Sequence, residues 1–208
     1  MKILCIGRNY QKHAEELKNP LPPEPVVFSK PDSSILKNNE PFYLPDFSRD
    51  LHHEVELVVK INRPGKNIEE RFAHRHYDEI GLGIDFTARD LQDELRKKGL
   101  PWEKCKAFDG AAVISEFVSR ERYPDIDDID FSLLVNGQLR QKGNTGDMLF
   151  NVDQIIAHVS IYFTLKTGDL IYTGTPAGVG PVAAGDRLQG YIGNECFFDF
   201  PVKKHAGT

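Results

Sequence analysis

The alternation of apolar and polar side chains is clearest at residues 53–61, which read HEVELVVKI. Successive side chains of a β-strand point to opposite faces, so this period of two predicts a strand. One face carries four apolar residues, Val55, Leu57, Val59 and Ile61. The opposite face carries Glu54 and Glu56, with His52 in line before them. We predict that the first face is buried, and ask why two carboxylates share the second.

Periodicity and turn residues predict the other elements. Strands are expected at 2–6, 26–30, 81–86 and 169–174, and as two hairpins over 131–143 and 186–202, with Asn136-Gly137 and Gly193-Asn194 at their turns. Helices are expected at 9–19, 69–80, 87–99 and 151–165. Asn9 and Thr87 are candidate N-caps, with Asp90 completing a capping-box pattern after Thr87, and Gly99 is a helix stop. The pattern predicts a strand-rich α+β fold with mixed sheets, formed as a single domain over residues 1–208.

Composition narrows the class of protein. The chain has 208 residues, a net charge of -5 and a pI near 5.8, and its basic residues are scattered. A nucleic-acid-binding surface requires a basic stripe, so we expect no nucleic-acid partner. No apolar run approaches the ~20 residues of a membrane span, so we expect no membrane partner. Three widely spaced cysteines without a CxxC pair argue against a disulfide scaffold or zinc ribbon and favour a reducing, cytoplasmic location.

Glu54 and Glu56 lie about 6 to 7 Å apart along the predicted strand, where like charges repel unless water or a cation screens them. A solvated face is the simpler explanation, because charged side chains are mostly exposed. A divalent cation is the other. Asp85, at a predicted strand-to-helix turn, would complete a three-carboxylate site, unless it only caps that helix. Oxygen ligands favour Mg²⁺, Mn²⁺ or Ca²⁺, whereas His52 as a ligand would favour iron or zinc.

Two further pairs stand at helical spacing. His13 and Glu16 are i, i+3 neighbours, and a carboxylate that polarises an imidazole makes a general base near neutral pH. The adjoining segment NPLPPEP would place this pair on a mobile lid, although such pairs are also common on surfaces. Arg89 and Gln92 have the same spacing after Asp85 and would point to one side near that turn.

The glycine-rich segment TGTPAGVG, residues 173–180, permits close approach of the backbone to a ligand, and Thr175 offers a hydroxyl. It lacks the Gly-Lys-Ser/Thr of a P-loop, so we discount nucleotide binding and keep a tight turn as the alternative. Lys106 and Cys105 lie together in EKCKAFDG. A lone lysine is ordinarily a surface residue, and no catalytic cysteine signature surrounds Cys105.

Five motifs occur in one order along the chain: GRNYxxH, LHHEVEL, GIDFTARDLQ, KGLPWEKCKAFD and TGTPAGVGPV. In this combination the chain resembles the fumarylacetoacetate hydrolase family over essentially its whole length, and most of all the family's short acylpyruvase/oxaloacetate decarboxylase branch. The resemblance implies a mixed β-sandwich roll with a few short helices, usually assembled as a homodimer. The segment KNPLPPEP falls in the family's variable lid region.

The resemblance also implies roles for individual residues. The metal ligands would be Glu54, Glu56 and Asp85, holding Mg²⁺ or Mn²⁺, with Ca²⁺ as an occupant in crystals. The catalytic residues would be His13 and Glu16, which activate water, and Lys106 near the metal. The substrate-binding residues would be Arg8, Arg89, Gln92 and Thr175.

The implied function is metal-dependent hydrolysis of a C–C bond in acylpyruvate-type 2,4-dioxo acids, such as acetylpyruvate and fumarylpyruvate. Bond cleavage in the chelated 2-oxo acid would leave a metal-stabilised pyruvate enolate, and decarboxylation of oxaloacetate would leave the same enolate. The alternatives are an isomerase or decarboxylase of unsaturated 2-oxo dioic acids in aromatic catabolism, a zinc hydrolase that uses His52, and a non-catalytic metal-dependent binding protein.

Overall fold

The computed structural model describes residues 1–17 and 20–204. Residues 18 and 19, which belong to the predicted helix 9–19 and to the lid segment, lie outside the described part, as do residues 205–208. The described strands are β1 (Ile3–Gly7), β2 (Val26–Lys30), β3 (Ile35–Leu36), β4 (Phe42–Leu44), β5 (Leu51–His53), β6 (Val55–Ile61), β7 (Tyr77–Asp85), β8 (Thr87–Ala88), β9 (Ala112–Ile114), β10 (Val118–Ser119), β11 (Asp130–Val135), β12 (Gln138–Asn144), β13 (Leu170–Tyr172), β14 (Gly180–Pro181), β15 (Arg187–Ile192) and β16 (Glu195–Lys204). The described α-helices are α1 (Gln11–Glu16), α2 (Glu70–Ala73), α3 (Arg89–Lys98), α4 (Glu103–Lys106) and α5 (Val152–Tyr162).

The strands form three sheets. The largest has the order β2-β1-β13-β6-β7-β9-β3, and β10 also pairs with β7. A five-stranded sheet has the order β12-β11-β15-β16-β4, and a small sheet has the order β14-β5-β8. The strand-rich α+β class predicted from the sequence is confirmed. Among the described residues, no helix combines the length and the apolar character that a bilayer crossing requires.

The main core lies between the large sheet and the five-stranded sheet. The four apolar residues of the β6 alternation, Val55, Leu57, Val59 and Ile61, all belong to it, so the predicted buried face is confirmed. The opposite face is also covered, because Val58 packs in a second cluster with Ile3, Cys5 and Tyr172. The solvated-face explanation for the two glutamates is therefore wrong.

Three local signals are confirmed. Asn136 and Gly137 connect β11 to β12 with φ values of 54° and 74°, the left-handed pair that a tight hairpin turn requires. Gly99 ends α3 with φ 63°. Gly193 connects β15 to β16 with φ 56°. Each signal depends on the backbone preference of one or two residues. It does not need contacts with residues that are distant in sequence.

The predicted helix at 69–80 is wrong over most of its length. Only Glu70–Ala73 is helical, and β7 already begins at Tyr77 instead of at residue 81. Tyr77 and Ile80 are buried, and Ile80 pairs with strands on both sides, β6 and β10. Pairing on both edges together with burial outweighs a local helical preference, which is weak in comparison.

The predicted N-caps are wrong as well. The Asn9 amide donates to the backbone oxygens of Phe150 and Thr173, and α1 begins without a side-chain cap. Thr87 lies in β8 and pairs with β5, so α3 also begins without a side-chain cap. The Asp90 carboxylate accepts hydrogen bonds from the loop before β5 instead of completing a capping box.

Candidate metal centre and active site

The pairing of β6 with β7 brings the three predicted metal ligands together. Glu56 stands opposite Gly83, and the backbone N–H of Asp85 donates to the Glu54 carbonyl at 2.8 Å. Carboxylate oxygens of Glu54, Glu56 and Asp85 lie within 4.8 Å of one another. Their exposed fractions are only 5%, 2% and 1%. Asp85 therefore faces the two glutamates and does not cap a helix. We call this group the acidic triad.

Three basic side chains contact the acidic triad. Lys106 on α4 donates to Glu54 Oε2 at 2.8 Å and to Asp85 Oδ2 at 2.6 Å, so it is not a surface lysine. Arg89, the first residue of α3, forms an ion pair with Glu54 Oε1. Lys30, the last residue of β2, lies 2.6 Å from Asp85 Oδ1. Glu54 and Asp85 thus each contact two cations, which offsets part of the cost of burying these two carboxylates.

These charges shift the pKa values of the two glutamates in opposite directions. Burial alone would raise the pKa of Glu54, but Lys106 and Arg89 outweigh it and hold that pKa below its usual value. At Glu56, burial and the carboxylates of Asp85 and Glu54 act in one direction and raise the pKa well above its usual value. In the metal-free protein, Glu56 therefore holds a proton more readily than Glu54 does.

The donor set fits a hard divalent cation. Its ligands are all oxygens, which Mg²⁺, Mn²⁺ and Ca²⁺ prefer. Asp85 Oδ1 is buried and accepts no hydrogen bond within residues 1–17 and 20–204, since its contact with Lys30 is an unaligned ion pair. The Gly174 N–H donates to Glu56 Oε2 at 2.7 Å and orients that carboxylate. His52 is not part of this cluster and lies 2.9 Å from Asp50, which removes the basis for an iron or zinc site.

His13 and Glu16 form the predicted pair on α1. The distance from His13 Nδ1 to Glu16 Oε2 is 3.4 Å, and His13 is 5% exposed. Burial lowers the pKa of His13, while Glu54 and Glu16 oppose this effect in part. A lowered pKa keeps the imidazole neutral at neutral pH, which is the form that accepts a proton.

One cavity joins most of the predicted residues. It is lined by Arg8, His13, Glu54, Glu56, Asp85, Arg89, Gln92, Lys106 and Thr175. Glu16 is the predicted site residue missing from this lining, and it connects to the cavity through His13. Apolar walls come from Ile6, Leu17, Phe28 and Trp102. Arg96, which the sequence did not single out, also lines the cavity.

Arg8 has a left-handed backbone, with φ 60°, which is uncommon for a residue with a side chain. The next residue, Asn9, is fully buried and is fixed by hydrogen bonds to Phe150 and Thr173. Burial and the neighbouring charge of Arg96 lower the pKa of Arg8. Two guanidinium groups close enough to repel each other make this side of the cavity suitable for an anionic group of a ligand.

The glycine-rich segment 173–180 supports the acidic triad and is not a phosphate loop. The Thr175 hydroxyl donates to the Val55 carbonyl at 2.8 Å and accepts from Gln141 Nε2 at 2.8 Å. Gln92 reaches the same cavity from α3 and accepts a hydrogen bond from Arg89 at 2.5 Å. Thr175 therefore ties the segment to β6 as well as lining the cavity.

Lys30 is the buried basic residue that the sequence reasoning missed. Its neighbours Val26 and Phe28 share its face of β2 by alternation, and Phe28 lines the cavity, so this face was the available signal. Cys105 does not line the cavity, although its neighbour Lys106 does. Burial raises the pKa of Cys105 to about 11, so the thiol stays protonated at neutral pH.

The comparison with protein families agrees with this site. The family model described as "Fumarylacetoacetate (FAA) hydrolase C-terminal" matches residues 2–197. The chain belongs to the fumarylacetoacetate hydrolase family. The membership inferred from the five sequence motifs is confirmed, and so is the family's fold.

Relatives within the family are named for different reactions. The mitochondrial oxaloacetate tautomerase FAHD1 of Bos taurus is 42% identical over 202 residues, covering 97% of this chain and 91% of that protein. A fumarylpyruvate hydrolase from Pseudomonas aeruginosa, crystallised with Mn²⁺ and pyruvate, is 32% identical with a TM-score of 0.93, covering 99% of this chain and 90% of that one. A 5-carboxymethyl-2-hydroxymuconate delta-isomerase from Mycobacterium smegmatis is 33% identical with a TM-score of 0.86, covering 99% and 80%.

Proposed function

We propose that this protein is a divalent-metal-dependent enzyme that interconverts the enol and keto forms of oxaloacetate. One observation carries the proposal: the buried acidic triad and the buried imidazole of His13 meet in a single cavity. Enol and enolate chemistry needs both a stabiliser of negative charge on oxygen and a proton carrier. The 42% sequence identity to an oxaloacetate tautomerase supports the choice of oxaloacetate.

Glu54, Glu56 and Asp85 are the residues proposed to hold Mg²⁺ or Mn²⁺. When bound, such an ion would act as a Lewis acid for the carboxylate and 2-oxo oxygens of the substrate. Lys106 adds a fixed positive charge, because Asp85 and Glu54 outweigh the effect of burial and raise the pKa of its ammonium. The proposed contacts with the rest of the substrate come from Arg8, Arg89, Gln92 and Thr175.

Tautomerisation moves one proton. The hydroxyl proton on C2 of the enol is lost, and a proton is added at C3 to give the ketone. His13 is the group proposed to accept the first proton and to deliver one to C3, with Glu16 stabilising the imidazolium that forms between these steps. No redox partner is needed, because the two forms of oxaloacetate have the same atoms and electrons.

C–C bond hydrolysis of acylpyruvates is the second candidate, and the His13/Glu16 pair favours it. His13 would take a proton from water, which adds to the distal carbonyl. The C–C bond then breaks, its electrons remain on the pyruvate part, and protonation of that enolate gives pyruvate. The fumarylpyruvate hydrolase match supports acetylpyruvate and fumarylpyruvate as test substrates. Oxaloacetate decarboxylation and isomerisation of unsaturated 2-oxo dioic acids would pass through comparable enolates.

Two assays on one preparation test these reactions. The ultraviolet absorbance of enol-oxaloacetate follows tautomerisation, and a coupled pyruvate assay follows hydrolysis and decarboxylation. We expect activity with Mg²⁺ or Mn²⁺ that a chelator abolishes. Glu54→Gln and Asp85→Asn should each lower kcat about 10²- to 10³-fold, by analogy with the loss of a preorganised electrostatic partner.

Glu79→Gln is the matched control, because Glu79 lies on β7 with Asp85 but pairs with Lys60 away from the cavity. It should keep the wild-type rate. Activity of the Glu54 and Asp85 variants within a few-fold of wild type would contradict the proposal. Mn²⁺ binding without turnover of any of these substrates would favour the non-catalytic binding protein.

The proposal also includes a homodimeric assembly, as the family resemblance implies, and a cytoplasmic location, as the cysteine content suggests. Sedimentation of the purified protein tests the first expectation. Fractionation of the source cells tests the second.

A further inference from the structure

Lys30 lies at the acidic triad but outside the cavity. Its side chain has an exposed fraction of 0%. The ammonium is 2.6 Å from Asp85 Oδ1, donates to the Ala111 carbonyl at 3.1 Å, and donates to the Lys106 carbonyl as well. The residues that line the cavity include Lys106 but not Lys30. The two lysines therefore contact the same carboxylate from different sides.

Each lysine contacts a different oxygen of the Asp85 carboxylate. Lys106 contacts Oδ2 and also Glu54, so that oxygen faces the rest of the triad. Lys30 contacts Oδ1, and through its bond to the Lys106 carbonyl it also fixes the backbone that carries Lys106. One buried ammonium thus links three elements of the site: β7, which carries Asp85, the helix α4, and the segment just before β9.

A purely structural explanation accounts poorly for a lysine here. A buried ion pair is weak evidence for stability, because apolar residues of similar volume often stabilise a fold as well or better. Simple electrostatics also argues against placing a positive charge next to a cation site, since it repels the cation. A geometric role for Lys30 explains both features.

We propose that Lys30 is a positioning residue of the metal centre, which holds the Asp85 carboxylate and the Lys106 backbone in the arrangement that binds the ion. This inference rests on the proposed metal site. Residues that orient metal ligands without binding the metal themselves typically lower metal affinity or activity about 10- to 100-fold when they are removed. Lys30 acts in this way without touching the substrate.

Mn²⁺ titration of the metal-free protein tests the role, because the electron paramagnetic resonance signal of free Mn²⁺ measures binding without any turnover. Lys30→Met should weaken Mn²⁺ binding about 10- to 100-fold at a temperature where circular dichroism shows it folded. Lys30→Gln keeps a donor without the charge and should lose less. Lys2→Met is the matched control: it removes a lysine that pairs with Asp169 just before β1 and β13, and should bind Mn²⁺ like wild type.

The direction of the change separates the explanations. Loss of a positive charge alone would strengthen Mn²⁺ binding, and a structural role alone would lower the melting temperature while folded protein kept its affinity. Either result in Lys30→Met, or in Lys30→Gln if the first variant does not fold, overturns the positioning role and leaves the proposed function intact. Failure of the wild-type protein to bind Mn²⁺ would instead overturn both.

Discussion

Both carboxylate oxygens of Glu16 lie 3.2 Å from the backbone nitrogen of Gly178, which donates its N–H to them. The contact joins α1 to the glycine-rich segment, 162 residues further along the chain. Gly178 has φ 97°, and a Cβ at this position would lie 2.2 Å from the Arg140 carbonyl. The orientation of the His13/Glu16 pair therefore depends on a glycine far from it in sequence.

Gly178→Ala should lower kcat without weakening metal binding. The added Cβ would push the backbone away from Arg140 and remove the donor that holds Glu16. A positioned general base typically contributes 10²- to 10⁴-fold, so we expect a loss on the order of 10²-fold. Steady-state kinetics at saturating Mn²⁺ gives the loss, and a titration gives the affinity.

Gly137→Ala is the control for Gly178→Ala. It also places a side chain at positive φ, 74°, but with nothing within 4 Å of the new Cβ and far from the pair. If both variants lose the same activity, the effect is general backbone strain and the link between Gly178 and Glu16 has no catalytic importance.

The dependence of activity on pH should report the lowered pKa of His13. The neutral imidazole is the active form, and burial favours it, so the acid limb of kcat/KM should lie below pH ~6.5, the ordinary histidine value. Activity is lost as the pH falls through the lowered pKa and stays level through neutral pH. Rate profiles at saturating metal measure this limb. An acid limb centred above pH 7, or one that persists in His13→Ala, would rule out His13 as the base.

Metal binding should release a proton from Glu56. Burial and the carboxylates of Asp85 and Glu54 raise the pKa of Glu56, so the metal-free protein keeps this carboxyl protonated until the pH exceeds that raised value. A bound cation needs the carboxylate, so affinity for Mn²⁺ should increase with pH. Calorimetry in two buffers of different ionisation enthalpy counts the protons, and we expect a net release when the ion binds. Glu56→Gln should bind weakly and release none; equal heats in both buffers for wild type would disprove the coupling.

Gly83→Ala should destabilise the fold around the acidic triad. Gly83 stands opposite Glu56, and a Cβ there would lie 2.6 Å from the Val113 carbonyl and 2.7 Å from the Tyr172 ring. Overpacking of this kind costs about 1 to 3 kcal/mol. Urea denaturation measures the change. Gly180→Ala, whose new Cβ would meet its nearest neighbour at 3.6 Å, should cost much less, and equal losses would mean that the contacts around Gly83 adapt freely.

Residue patterns predicted the parts of the fold that local chemistry decides. The turn at Asn136 and Gly137 and the helix end at Gly99 follow from backbone preferences of single residues. The buried face of β6 follows from its alternation. The proximity of the acidic triad required more, because no spacing rule brings Asp85 beside Glu54; the residue pattern left a helix cap as the alternative, and the family motifs favoured the metal site.

The failures share one physical cause, which is that the deciding partner is distant in sequence. Asn9 makes its hydrogen bonds 141 and 164 residues away, so its local position before a helix was misleading. Lys30 finds a carbonyl partner at Ala111, 81 residues away, and a lysine that ends a short strand gives no sign of full burial. Residues 77–80 look helical until the strands on either side are known.

The acidic triad and the His13/Glu16 pair are held in place by different parts of the structure. Glu56 and Asp85 stand on inner strands of the large sheet, whereas His13 stands on a six-residue helix whose Glu16 is held by the Gly178 N–H. The proposed stabilisation of the enolate and the proposed proton transfer can therefore be altered independently of each other. An engineer who wants a new substrate can rebuild the other residues of α1 and the proline-rich segment at 20–25, and keep His13, Glu16 and the acidic triad unchanged.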